Sequence, residues 1–201
     1  MGNRKLVVST GNKHKILEIR EILEGLNIEV LSKNDIGFEG FDIVEDGETL
    51  EDNSIKKAKA LSDKTDYIVI ADDTGLFVNA LNGEPGVYSS RYAGQEGNDK
   101  KNCEKLINNL EGIEDRSAYF KTVIALITED KKILKAEGIC KGMIIEEARG
   151  DKGFGYDPIF VPEGFDKTFA ELGHDVKNKI SHRALALIEL KNILIKIASG
   201  S

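Results

Sequence analysis

Apolar and polar positions along this chain switch between two periods, and each switch marks an element. Lys5-Leu6-Val7-Val8-Ser9 is a short β-type run that Thr10-Gly11-Asn12 breaks. A helical pattern follows, with Ile16, Ile19, Ile22 or Leu23, and Leu26 on one face. Residues 33–48 are irregular and acidic. Thr49 then predicts an N-cap with Asp52 at the capping-box position, and Leu50, Ser54, Ala58 and Leu61 follow along one helix face. Tyr67-Ile68-Val69-Ile70-Ala71 reads as a strand, Leu81 to Tyr92 as a turn-rich loop, Asp99 to Leu110 as a helix and Ser117 to Thr128 as a long strand. Lys132 to Glu137 and Ile139 to Glu146 are candidates for its antiparallel neighbours. Ser181 predicts the cap of a final helix carrying Leu185, Ile188, Leu194 and Ile197, and Ser199-Gly200-Ser201 a frayed end. This order predicts an α/β fold with a mixed sheet, antiparallel in its second half, and one domain over residues 1–201 without repeats or a linker.

The stretch Ile70-Ala71-Asp72-Asp73-Thr74-Gly75-Leu76 sets two adjacent acids directly after an apolar run. Desolvating a carboxylate without a partner costs several kcal/mol, so the pair is expected at a strand end that opens into a cleft. Paired acids there suit a divalent cation, with one available as a base. The plainer alternative is two solvated loop acids.

Composition narrows the classes. The chain has 201 residues, 40% apolar and 31% charged, with ample material for a core. No apolar run approaches the roughly 20 residues a membrane span needs. The start, Met1-Gly2-Asn3-Arg4-Lys5, lacks a signal-peptide pattern, and Leu6 stands where myristoylation wants Ser or Thr. Cys103 and Cys140 lie apart without metal-ligand spacing, which predicts free thiols in a reducing compartment. His14, His174 and His182 form no zinc motif. A formal charge of −7 argues against a nucleic-acid polymer as partner, but not against a small phosphorylated ligand. These observations predict a cytoplasmic domain with no membrane contact.

Three further stretches suit such a ligand. Thr10 or Asn12 can cap the first helix, and Lys13 and Lys15 in its first turn oppose the helix dipole unless an anion sits there. Solvated lysines are the alternative. Arg91, after the Gly83-Glu84-Pro85-Gly86 turn, can take a phosphate bidentately or join a surface ion pair. In Gly153-Phe154-Gly155-Tyr156-Asp157-Pro158 the glycines permit close backbone approach, and Phe154 and Tyr156 offer flat faces for a base. The same aromatics could instead turn into the core. His182 and Arg183, after Lys177 and Ser181, gather cations at a helix start.

Together these stretches resemble the inosine triphosphate pyrophosphatases, the Ham1-like house-cleaning enzymes for non-canonical purine nucleotides. The resemblance rests on Ser9-Thr10-Gly11-Asn12-(x)2-Lys15, Glu51-Asp52-Asn53-(x)3-Lys57-Ala58, Ala71-Asp72-Asp73-Thr74-Gly75-Leu76, Gly83-(x)-Pro85-Gly86-(x)-Tyr88-Ser89-(x)-Arg91-Tyr92, Gly153 to Pro158, and Ile180-Ser181-His182-Arg183. It implies an elongated two-lobed fold around a twisted mixed sheet, a cleft between the lobes, and a homodimer. The implied reaction is Mg2+-dependent hydrolysis of ITP, dITP or XTP to the monophosphate and pyrophosphate. Other modified nucleotides, or binding without turnover, are the alternatives. By position, the resemblance makes Asp73 the general base or metal-associated acid. It sets Thr10, Gly11, Asn12, Lys13, His14, Lys15 and Lys57 around the phosphates, with Thr74 and Arg91 lining the cleft. It sets Phe154, Gly155, Tyr156, Asp157, Lys177, His182 and Arg183 around the base. The family's metal-binding acid commonly lies three residues before the glycine that aligns with Gly47; that position is Val44 here, so Glu45 becomes the ligand beside Asp73, with Glu48 as its substitute.

Overall fold

The computed structural model describes residues 4–94 and 97–199, and at residue 14 the backbone alone. In chain order the elements are β1 (Arg4–Val8), α1 (Lys13–Ile22), β2 (Ile28–Ser32), α2 (Leu50–Ser62), β3 (Ile68–Val78), β4 (Pro85–Gly86), α3 (Asp99–Asn109), β5 (Ser117–Ile127), β6 (Ile133–Ile144), β7 (Phe160–Pro162), α4 (Phe169–Leu172), α5 (His174–Ile180) and α6 (His182–Ser199). The expectations for Met1 to Asn3, and for Gly200 and Ser201, lie outside the described residues. Among the described residues the strands are hydrogen-bonded in the order β2-β1-β3-β5-β6-β7, with β4 on β3. β1 runs parallel to β2 and β3, whereas β4 is antiparallel to β3 and β7 to β6. The sheet is mixed, as the element order predicts.

Two compact units share the chain. The first comprises Met1–Asp73, Thr122–Gly138 and Ala184–Ser201; the second comprises Thr74–Lys121 and Ile139–Arg183. In the first, strand alternation sends side chains to two separate cores. Leu6, Val8, Ile68, Ile70, Ile124 and Leu126 share one core with Ile16 and Ile19 of α1, Leu23 just after it, and Leu187, Leu190 and Leu194 of α6. Val7, Val69, Ala71, Ala125 and Ile127 share the other with Ala58 and Leu61 of α2. A sheet covered on both faces buries every strand residue, which is why these strands read as continuous apolar runs. Thr49 caps α2 as predicted, its hydroxyl accepting from the Asp52 N–H at 3.0 Å.

The second unit has an aromatic core of Phe120, Phe160 and Phe169 with Leu76, Val78, Leu106 and Leu110. Within it β4 lies so close to β3 that a Cβ at Gly75 would meet the Gly86 carbonyl oxygen at 2.5 Å.

Several elements depart from the sequence reading. β2 lies where the sequence pattern predicts no element, the charged Glu29 standing within its short apolar run. Ile133–Ile144 forms one strand, β6, where two were expected over Lys132 to Glu137 and Ile139 to Glu146. The short helices α4 and α5 carry too few turns to show a period. On α6 the predicted face holds at Leu194, which is buried, and at Ile197, which packs against the core, but not at Leu185 and Ile188, which are exposed while Ala186, Leu187 and Leu190 are buried. In its first half apolar residues fall on more than one face (Leu185, Leu187, Ile188 and Leu190), so periodicity alone does not set the rotation there.

Candidate active site

Asp72 and Asp73 do not lie at a strand end. β3 continues through them to Val78, and both are buried. The strand retains them because each has its own partners. Successive residues of a strand face opposite sides of the sheet, so Asp72 follows Ile68 and Ile70 toward the α1 side, and Asp73 follows Val69 and Ala71 toward the α2 side. Lys15 of α1 donates to Asp72 Oδ2 at 2.8 Å. From α2, Asn53 Nδ2 donates to Asp73 Oδ2 at 3.1 Å and Lys57 Nζ to Asp73 Oδ1 at 3.4 Å. Each of the adjacent acids thus has its own lysine, Lys15 for Asp72 and Lys57 for Asp73.

The irregular acidic segment closes on the Asp73 side. Glu45 Oε1 accepts from Lys57 Nζ at 2.8 Å, and Asp46 pairs with Lys56. Lys33, a buried lysine, donates to the Phe41 carbonyl at 2.5 Å and to Asp42 at 2.7 Å. Sequence reasoning passed over Lys33, although a lysine at the end of an apolar run was its one signal. Burial raises the Asp73 carboxyl above its ordinary value; Lys57 and the Asn53 hydrogen bond oppose this, and Glu45 and Asp72 add to it. Burial pulls the Lys57 ammonium down, but Asp73, Asp72 and Glu45 outweigh it and hold the group above its ordinary value.

The donor set suits a hard divalent cation. Glu45 and Asp73 already share one cationic atom, Lys57 Nζ. Among the described residues no three acids, histidines or cysteines converge as a ready cage. Two carboxylates completed by substrate phosphate oxygens is how Mg2+ is commonly held. Glu48 is exposed, so Glu45 is the acid that this geometry brings to Asp73.

At the start of α1, Asn12 is the cap: its Oδ1 accepts from the Lys15 N–H at 3.3 Å, and Thr10 Oγ1 accepts from the Asn12 N–H at 3.2 Å. Gly11 and Lys13 are exposed; the side chain of His14 lies outside the described residues. Lys15 was expected to point at an anion, and the anion it meets within the chain is Asp72.

In the second unit the glycine–aromatic loop folds around Asp157. Its Oδ2 accepts from the Phe154 N–H at 3.0 Å and from Lys177 Nζ at 2.5 Å, and both members of that ion pair are buried. The Gly155 N–H donates to Asp99 at 2.7 Å. A Cβ at Gly153 would lie 2.2 Å from Asp157 Oδ2, so this turn admits only glycine there. Phe154 is 42% exposed, with Lys177 Nζ 4.4 Å and the Arg183 guanidinium 5.8 Å from its ring centre. Tyr156 departs from expectation. It is buried and donates its hydroxyl to the Ser89 carbonyl at 2.8 Å, so it joins the core and presents no face. His182 is buried and stacked on Phe120, centroids 4.5 Å apart. Thr74 and Arg91 are half-buried, the latter 5.2 Å from the Tyr88 ring. Cys103 and Cys140 are free and buried, and burial pushes their thiols up to about 12 and about 11.

The model of the Ham1 family matches residues 6–193. A dITP/XTP pyrophosphatase of Thermoanaerobacter pseudethanolicus is 49% identical over 194 residues, covering 96% of this chain and 97% of its own. A second protein of that name, from Flavobacterium johnsoniae, is 51% identical over 191 residues, covering 94% and 97%. The Staphylococcus aureus Ham1 structure superposes with a TM-score of 0.89 at 39% identity, over 96% of this chain and all of that one (100%). The Coxiella burnetii HAM1 structure gives 0.89 at 40% identity, over 96% and 99%. Similarity of sequence and of fold along nearly its whole length establishes that this chain belongs to the Ham1 family.

Proposed function

We propose that this protein is a pyrophosphatase of non-canonical purine nucleoside triphosphates, converting ITP, dITP or XTP to the monophosphate and pyrophosphate. The observation that carries the reading is the Asp73 centre, a buried carboxylate held between Lys57 and Asn53 with Glu45 close by, in a chain about half identical to proteins named dITP/XTP pyrophosphatase. In the reaction a water oxygen bonds to the α-phosphorus, and the bond from that phosphorus to the α,β-bridging oxygen breaks. The electron pair leaves on pyrophosphate. Asp73 takes the water's proton, a role its raised pKa suits. Lys15 and Lys57 neutralise charge that builds on phosphate oxygens, and the exposed Gly11 and Lys13 offer backbone N–H groups. Glu45 and Asp73 would hold Mg2+, which when bound supplies further positive charge against those oxygens.

On the base side Phe154 is the stacking platform, Lys177 holds the loop through Asp157, and His182 and Arg183 read the 6-oxo group. Adenine's amino group would leave those donors unmatched, costing about 1–3 kcal/mol, or roughly tenfold to a hundredfold per contact. The protein acts as a cytoplasmic homodimer in this reading, a state that light scattering checks. The activity is tested by pyrophosphate release with Mg2+ from equal concentrations of ITP, dITP, XTP, GTP, ATP and UTP. Fast release confined to the first three supports the proposal. Release from none, with ITP still bound, favours a non-catalytic sensor, and release from another base overturns the base-side assignment.

A further inference from the structure

Asn53 lies in a motif that carries the family resemblance, and the chemistry above uses it only as a hydrogen-bond partner of Asp73. Its side chain is wholly inaccessible, one turn into α2. Both ends of its amide are engaged. Nδ2 donates to Asp73 Oδ2 at 3.1 Å, and Oδ1 accepts from the Gly47 N–H at 2.8 Å. The orientation is forced by chemistry: reversing the amide would put its oxygen against a carboxylate and its NH2 against an N–H. Four residues on, Lys57 reaches Asp73 Oδ1 from the same helix face. One helix thus addresses each oxygen of one carboxylate with a different donor. Gly47 lies two residues from Glu45, and its backbone is packed onto the same amide. A Cβ at Gly47 would meet Asn53 Oδ1 at 2.7 Å and Asp52 Cβ at 2.8 Å, so the contact requires glycine.

We propose that Asn53 is a positioning residue that ties the backbone of the acidic loop, at Gly47, to the orientation of the Asp73 carboxylate. It holds Oδ2 and so fixes which way the general base faces. Through its other end it makes that orientation depend on the loop being seated, so that the loop carrying Glu45 and the base are set together. The amide acts only through these two hydrogen bonds and touches no reacting atom. This inference rests on the pyrophosphatase reading given above.

Asn53→Asp separates positioning from packing. It preserves shape and the acceptor for Gly47, and replaces the neutral donor to Asp73 with a second carboxyl that competes for its proton, whereas Gly47→Ala adds no charge. Its kcat on dITP should fall about tenfold to a hundredfold, the scale of a misplaced catalytic group, while KM stays within about threefold. Gly47→Ala, which leaves the amide chemically intact, should give a loss of the same kind. A readout independent of turnover is the Asn53 side-chain amide resonance in 15N-labelled protein, identified by its absence in Asn53→Asp. It should be protected from exchange, and should shift in Gly47→Ala. An Asn53→Asp enzyme within about twofold of the parent kcat would overturn the proposal, as would an amide signal indifferent to Gly47→Ala. Failure of the parent protein itself to release pyrophosphate would instead overturn the functional reading.

Discussion

Asp73 and Asp157 are both buried carboxylates beside a lysine, and they are built for opposite purposes. Asp157 has one lysine to itself, Lys177 at 2.5 Å, and its remaining bond goes to the Phe154 N–H of its own loop. Charge is matched one to one, and the pair shapes the turn that presents Phe154. Asp73 shares Lys57 with Glu45, lies near Asp72, and is raised above its ordinary value by burial. Its surroundings hold more negative charge than they neutralise, which leaves room for a cation or a proton. A balanced buried pair is a scaffold, and an unbalanced one is a site.

The sharpest test of that contrast is Asp73→Asn. Loss of the general base should cut kcat by about 10²–10⁴-fold with nucleotide binding retained in calorimetry. Near-normal turnover would remove Asp73 from the mechanism. Asp157→Asn should act in the other currency. Leaving Lys177 buried without its carboxylate costs about 3–5 kcal/mol, or roughly 6–20 °C in melting temperature for a chain of this size. A melting curve unchanged from the parent would show that the pair is no scaffold. Smaller effects sharpen the base side: Arg183→Ala should erode selectivity for ITP over ATP by about tenfold, the value of one contact. Unchanged selectivity would place base reading elsewhere.

The smallest expected effect concerns stability against pH. Because folding raises Asp73 above its ordinary value of 3.8, the folded state favours its protonated form. The stability this group contributes is fully present below that ordinary value, and is lost as pH rises through the folded value. Asp73→Asn carries no such loss, so it should melt above the parent at pH 8, with the advantage shrinking on acidification toward pH 4. A variant that melts below the parent at pH 8 would mean that Lys57 depends on Asp73 more than Asp73 is penalised by burial. Activity of the parent should fall on acidification before an ordinary carboxylate would titrate.

How much of this was legible beforehand follows from which interactions are local. The helix faces of α1 and α2, the Thr49 cap, the apolar strands and the mixed sheet could be read from period and spacing, since those depend on neighbours three or four residues away. The acids of β3, the lysines of α1 and α2, and the glycine–aromatic loop were also visible as residue types that a core does not keep without cause. What the sequence could not decide was partnership at long range. Reading Asp72-Asp73 as a pair at a strand end missed that strand alternation sends each acid to a different helix, where Lys15, Asn53 and Lys57 compensate it across 57, 20 and 16 residues of chain. Tyr156 could equally have faced a ligand or the core until the Ser89 carbonyl offered its hydroxyl a buried acceptor. In the first half of α6, where apolar residues lie on more than one face, packing chose Ala186, Leu187 and Leu190 over Leu185 and Ile188. Local periodicity determined the elements and named the chemistry; tertiary packing decided which charges meet, because the desolvation penalty of each buried group is met only by a partner distant in sequence.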